Sequence, residues 1–162
     1  MILYQGQTTF LTESKKNVPF STKVVVTFAK TIKLEKAAIY ADNLFSSLEL
    51  IRILMKLFGF RYIGTAHENR IGKPPLMSSE NMNKNSVSKA SLESCSNKEG
   101  ILVAKWKDNK IVKLVTNDRG IEPFSKIQRY DKDTHQKISV DCPEVVKNYN
   151  SHMGGIDKND ML

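Results

Sequence analysis

Residues 37–66 read AAIYADNLFSSLELIRILMKLFGFRYIGTA, and this stretch decides the fold class. Ala37-Ala38-Ile39-Tyr40-Ala41 is a short apolar run that stops at Asp42-Asn43, as a buried strand does when it delivers polar residues to its C-terminal rim. Ser46-Ser47-Leu48-Glu49 matches a capping box, with Ser46 as N-cap and Glu49 at the third helical position. Leu48, Ile51, Leu54 or Met55, and Phe58 then recur at helical spacing, and Gly59 supplies a left-handed stop. Residues 60–66 read as a second strand. Strand, helix and strand in so short a span have the size of a βαβ unit and predict an α/β fold.

Upstream, residues 1–9 are short and mixed, suited to an edge strand, and residues 13–19 are polar and read as a loop. Residues 23–34 carry two signals. Val24-Val25-Val26 favours a strand, whereas Val25, Phe28 and Ile32 at i, i+3 and i+7 suit a helix, the preferred assignment. Downstream, residues 77–97 hold seven Ser and four Asn and read as a loop or disordered insert. Residues 100–106 and 110–115 flank Lys107-Asp108-Asn109 and predict a hairpin with Asp-Asn at its turn. Residues 125–130 and 137–140 predict a second one. Pro143 suits the first position of a helix over 144–153, which Gly154-Gly155 is expected to break before another helix begins at Ile156. No internal repeat is present.

The chain has 162 residues, the length of one domain or of one with a small appendage. At 40% hydrophobic and 26% charged residues it is neither a coiled coil nor wholly disordered. Two cysteines, Cys95 and Cys142, exclude a disulfide scaffold and fit a reducing compartment. No apolar stretch approaches the ~20 residues of a membrane span, and Met1-Ile2-Leu3-Tyr4-Gln5-Gly6 lacks the basic start and long apolar run of a signal peptide. These features predict a soluble intracellular protein. The net charge is +8, with the excess in the first ninety residues. An anionic polymer, foremost nucleic acid, is the partner such charge suggests, and a solvated lysine-rich face is the alternative.

Three carboxylates draw attention. Asp42 sits at a strand end, where rigid elements can offer oxygen ligands to a hard cation; it also suits a turn before a helix. Asp157 and Asp160 lie three apart after Gly154-Gly155. On a helix they share a face, and they equally suit a helix N-terminus, where the dipole favours acids. His67, His135 and His152 have no ligand spacing with the cysteines, so a zinc site is not expected. Gly154-Gly155 is not a phosphate loop, and no nucleophile elbow occurs.

Ala41-Asp42-Asn43-Leu44-Phe45-Ser46-Ser47 resembles the "DN-F-(T/S)-S" segment of piggyBac-type transposases. Gly64-Thr65-Ala66, Glu68-Asn69-Arg70 and Gly72-Lys73-Pro74-Pro75-Leu76 resemble the segment that follows it. Trp106-Lys107-Asp108-Asn109-Lys110 resembles the family's "W-x-D-N-K" hairpin. Cys142-Pro143, Tyr149-Asn150 and the run from Met153 to Leu162 resemble its "CP…YN-x-x-MGG-(V/I)-D-x-x-D-x-L" ending. The match runs in register from about residue 39 to the end.

The resemblance implies a ribonuclease H-like catalytic core of DDE/D type that cuts and rejoins DNA at TTAA sites by two-metal phosphoryl transfer, interrupted by a mostly β insertion domain. Asp42 then corresponds to the second catalytic aspartate, Asp157 to the third and Asp160 to the accessory one, with Mg²⁺ or Mn²⁺ as cofactor and the nucleus as location. The implied division is a partial core over 1–66, an insertion domain over 67–142 with the loop at 77–97, and a return to the core over 143–162. The family's first catalytic aspartate lies just before a stretch resembling Met1 to Gly6, and no aspartate precedes Asp42. Residues 10–21 are too few for the family's central strand pair, and the chain stops at Leu162. The expectation is therefore a truncated, catalytically inactive fragment that binds DNA weakly through charge and associates with a related full-length transposase-like protein. A non-catalytic DNA-binding or interaction module, or an incomplete gene model, is the alternative.

Overall fold

A computed structural model of the chain describes residues 18–131 and 134–159. The edge strand expected over residues 1–9 lies outside them. The elements run α1 (Phe20–Thr31), β1 (Ala38–Ala41), α2 (Leu48–Phe58), β2 (Arg61–Thr65), a 3₁₀ turn (Glu68–Arg70), α3 (Ser79–Met82), β3 (Leu92–Ser96), β4 (Leu102–Lys107), β5 (Ile111–Thr116), β6 (Ser125–Asp131), β7 (Gln136–Cys142) and α4 (Glu144–Asn159).

The βαβ unit forms as its periodicity predicts. β1 and β2 pair in parallel, Ala38 opposite Arg61 and Ala41 opposite Gly64, with α2 as the crossover. The sheet does not end at residue 66. β5 pairs antiparallel with β2, and β4 and β3 follow, giving the order β1-β2-β5-β4-β3. Hydrogen bonding thus joins strands from the expected 1–66 and 67–142 segments in one sheet. β6 and β7 make a separate hairpin.

Strand alternation sends side chains to two cores. Ala41, Tyr62, Val103 and Val115 face α1 and α2, where they meet Val25, Ala29, Leu50, Ile51 and Leu54. Ile63, Ala104, Trp106 and Leu114 face the other way, onto Val145 and Val146 of α4 and the inner side of β6–β7. The hairpin is fastened there by the Trp106 indole, which donates to the Asp141 carbonyl at 3.2 Å, and by the Arg129–Asp108 pair at 3.0 Å.

Four local expectations are corrected. The α2 N-cap is Ser47, whose hydroxyl accepts the Leu50 N–H at 3.1 Å, because the Ser46 hydroxyl is engaged elsewhere. That moves Glu49 off the capping-box position. α1 begins three residues earlier than expected, with Lys23 N–H bonding the Pro19 carbonyl at 3.1 Å, and leaves the helix at Ile32. Gly154-Gly155 does not break α4, which continues to Asn159. Glycine costs a helix about 1 kcal/mol, and a helix already anchored by Val145, Val146 and Tyr149 propagates through that cost. Finally, residues 77–97 are not a bare loop but contain α3 and β3.

Order in that polar stretch comes from two buried lysines of β4. Lys105 Nζ donates to Glu68 Oε1 at 2.6 Å and to the Met77 carbonyl at 2.8 Å. Lys107 Nζ donates to the carbonyls of Lys84 and Val87 at 2.6 and 2.7 Å, and its main chain pairs with Ala90 and Ser91. A buried ammonium is costly unless its donors are met, so the segment must fold over them. Lys107→Ala is expected to destabilise the chain by about 1–3 kcal/mol and to speed amide exchange at Ala90, measured by denaturant titration and hydrogen exchange.

The Lys105 hydrogen bond, then that from Ser79, holds the Glu68 carboxyl below its ordinary value. A depressed folded value stabilises the fold above the ordinary glutamate value of 4.5, and that contribution is lost as pH falls through the folded one. The stability difference between the parent and Glu68→Gln should therefore persist at neutral pH and shrink in acid, as thermal unfolding across pH would read.

Candidate functional site

Asp42 follows the last residue of β1 and is exposed at the strand's C-terminal rim. The chain turns there at once. Asp42 Oδ1 accepts the Leu44 N–H at 2.9 Å, and the Asp42 carbonyl accepts the Phe45 N–H at 3.3 Å and the Ser46 hydroxyl at 3.0 Å. Ser46 and Tyr62, both fully buried, bring their hydroxyls to 2.7 Å. Beneath them lies Gly64. A Cβ at that position would collide with Ser46 Oγ and stand 2.8 Å from the Ala41 carbonyl and 2.9 Å from Tyr62 Oη. The outer side of the turn is held by Arg70, whose guanidinium donates to the Leu44 carbonyl and, at 3.4 Å, to Ser21 Oγ. Burial pushes the Tyr62 phenol well above its ordinary value, so it stays a neutral donor.

Helix α4 meets the sheet beside this rim. Tyr40 donates to Asn148 Oδ1 at 2.8 Å and stacks on His152, ring centroids 4.1 Å apart and 7° from parallel. Tyr149 and Thr65 hydroxyls lie 3.3 Å apart. Burial first, then the Asp118 charge, raises the Tyr40 pKa. Asn150 and Met153 of α4, Phe28 of α1, Ile32 just after it, Phe45 and Asp42 line a cleft of about 780 Å³. Asp157 belongs to the last turn of α4, and Asp160 lies outside the described residues.

Asp42 offers oxygen of the kind a hard divalent cation takes. Among the described residues no three His, Cys, Asp or Glu converge. His67 and His135 are exposed, and His152 is engaged by Tyr40. The Cys142 thiol is buried, with its pKa raised by desolvation, and Cys95 is half-buried. Sequence reasoning missed Tyr62 and Arg70 and gave Ser46 another task. The available signal was Gly64, since a glycine inside a strand marks close approach of another group.

The βαβ unit, the antiparallel strands added on one side of it and the carboxylate at a parallel strand's rim define a mixed α/β sheet with a polar edge. The family model described as Transposase IS4 matches residues 1–162, and the chain belongs to this DDE-type, piggyBac-related transposase family. Two human relatives are similar. PiggyBac transposable element-derived protein 3 is 30% identical over 119 residues, covering 74% of this chain and 20% of its own length. PiggyBac transposable element-derived protein 2 is 27% identical over 159 residues, covering 96% and 26%. The chain therefore spans about a fifth to a quarter of these curated relatives. The fold is similar to that in the cryo-EM structure of a piggyBac transposase synaptic complex with hairpin DNA, with a TM-score of 0.63 and 19% identity over 91% of this chain and 28% of that one.

Gly64→Ala tests the packing under the turn. It should destabilise the chain by about 1–3 kcal/mol, whereas Gly120→Ala, with open space around it, should change the melting temperature little.

Proposed function

We propose that these residues form the distal part of a ribonuclease H-like transposase core, with Asp42 and Asp157 as metal-binding catalytic carboxylates and Asp160 as an accessory one. The observation that carries this is Asp42 at the C-terminal rim of β1, beside a cleft shared with α4. Position 157 follows Met153 by four residues and Asn150 by seven, which is the same stripe of a continuous helix. Asp42, Asp157 and Asp160 would hold Mg²⁺ or Mn²⁺. When bound, such cations polarise the phosphodiester and activate the attacking oxygen. The chain's own contribution is to hold the Asp42 carboxylate on a short turn and to bring α4 against Tyr40. The substrate class is DNA, in keeping with the family and the net charge of +8. Nuclear location and a related full-length transposase-like partner belong to the same reading.

No aspartate precedes Asp42 in these 162 residues, so by themselves they supply an incomplete triad and are proposed to be inactive. The 162-residue chain with Mg²⁺ or Mn²⁺ should not nick a duplex carrying a TTAA-flanked element end. Nicking that Asp42→Ala abolishes would overturn the inactivity. A second reading, a non-catalytic DNA-binding module, is favoured by the exposed Lys30, Lys33 and Lys36 around the end of α1. It requires DNA affinity that falls steeply with salt; a flat response in a fluorescence-anisotropy titration would remove it.

A further inference from the structure

The buried hydroxyl pair beneath the Asp42 turn is not used by the reading above. Tyr62 lies in an otherwise apolar cluster, where a phenylalanine would fill the same space. Its hydroxyl is therefore there to bond. The Ser46 hydroxyl has one proton, and it goes to the Asp42 carbonyl at 3.0 Å. Hence Tyr62 is the donor in the 2.7 Å contact with Ser46. The result is a directed chain from the Tyr62 phenol through the Ser46 hydroxyl to the Asp42 main chain.

The anchor is rigid. Tyr62 belongs to β2, which is paired on both sides, and its N–H is further held by Asn117 Oδ1 at 2.6 Å. Gly64 leaves the room in which Ser46 sits. We propose that Tyr62 and Ser46 are positioning residues that fix the Asp42 turn from below and so set where its carboxylate stands for a divalent cation. The proposal rests on Asp42 as a cation ligand. Arg70 completes the hold from the solvent side, through the Leu44 carbonyl.

The test uses the 162-residue chain, Tyr62→Phe, which keeps the ring and deletes the donor, and Ser46→Ala, which deletes both bonds. Without metal, amide exchange at Leu44 and Phe45 is compared with that at Val115 in the sheet. The expected result is exchange about tenfold faster at Leu44 and Phe45, the scale of one lost hydrogen bond, with Val115 unchanged. No change at the turn, or equal acceleration at all three sites, overturns the proposal, because a pair that only stabilises the fold acts everywhere. In Mn²⁺ titrations both variants should bind about tenfold more weakly, as when a ligand's supporting partner is lost. Unchanged affinity in a variant whose turn has loosened also overturns it. Asp42→Asn separates the two readings. If it leaves Mn²⁺ binding intact, the cation site fails, while exchange at Leu44 and Phe45 still decides whether the hydroxyls hold the turn. Should Ser46→Ala not fold, Tyr62→Phe carries the same comparison.

Discussion

Gly64 has no side chain, and the hydroxyl of Ser46 occupies the space where one would stand. From this single vacancy the geometry of the rim follows. Because Ser46 can descend onto β2, the chain leaving β1 reverses within a few residues rather than swinging outward. Because its hydroxyl is spent on Asp42 and Tyr62, the neighbouring Ser47 caps α2. The helix then starts at Leu48 and turns Leu50, Ile51 and Leu54 into the core. One missing methyl thus sets the turn, the cap and the helix phase together.

The sheet serves two sides that differ in kind. The α1–α2 side is an apolar layer whose two helices and parallel strands come from residues 20–65, with Val103 and Val115 of β4 and β5 extending it. The α4 side is assembled from distant pieces: a tyrosine of β1, a tryptophan of β4, a hairpin and a helix more than one hundred residues after β1. The candidate rim lies where these two constructions meet, which is why its cleft is lined from both α1 and α4. A functional edge at such a seam draws precision from the short, local turn and reach from the long-range docking.

Much of this was legible in residues 37–66, since apolar alternation and helical spacing are local signals and the parallel pair follows from them. The β4–β5 hairpin was legible from its polar turn for the same reason. What was not legible depended on partners far away in sequence. Two adjacent serines offer the same capping signal, and Tyr62, sixteen residues on, chooses between them. Lys105 and Lys107 look like solvated charges, yet both are buried and organise a stretch whose composition suggests disorder. Gly154-Gly155 reads as a stop, but helix docking earlier in α4 outweighs two weak propensities. At the site, the rim location of Asp42 was readable from its strand, whereas the hydroxyls and guanidinium around it were not.

The lysines of β4 grip the neighbouring segment almost wholly by its main chain. Three of the four acceptors they reach are backbone carbonyls, at Met77, Lys84 and Val87, and only Glu68 offers a side chain. A grasp of that sort is indifferent to which residues the segment carries. Exposed positions such as Asn85 and Ser86 can change without loosening it, whereas Ser78, Ser79, Ser88 and Ser91 are tied by their own side chains. The path of this segment is thus written in β4, which leaves its outward chemistry free to drift while its shape is inherited.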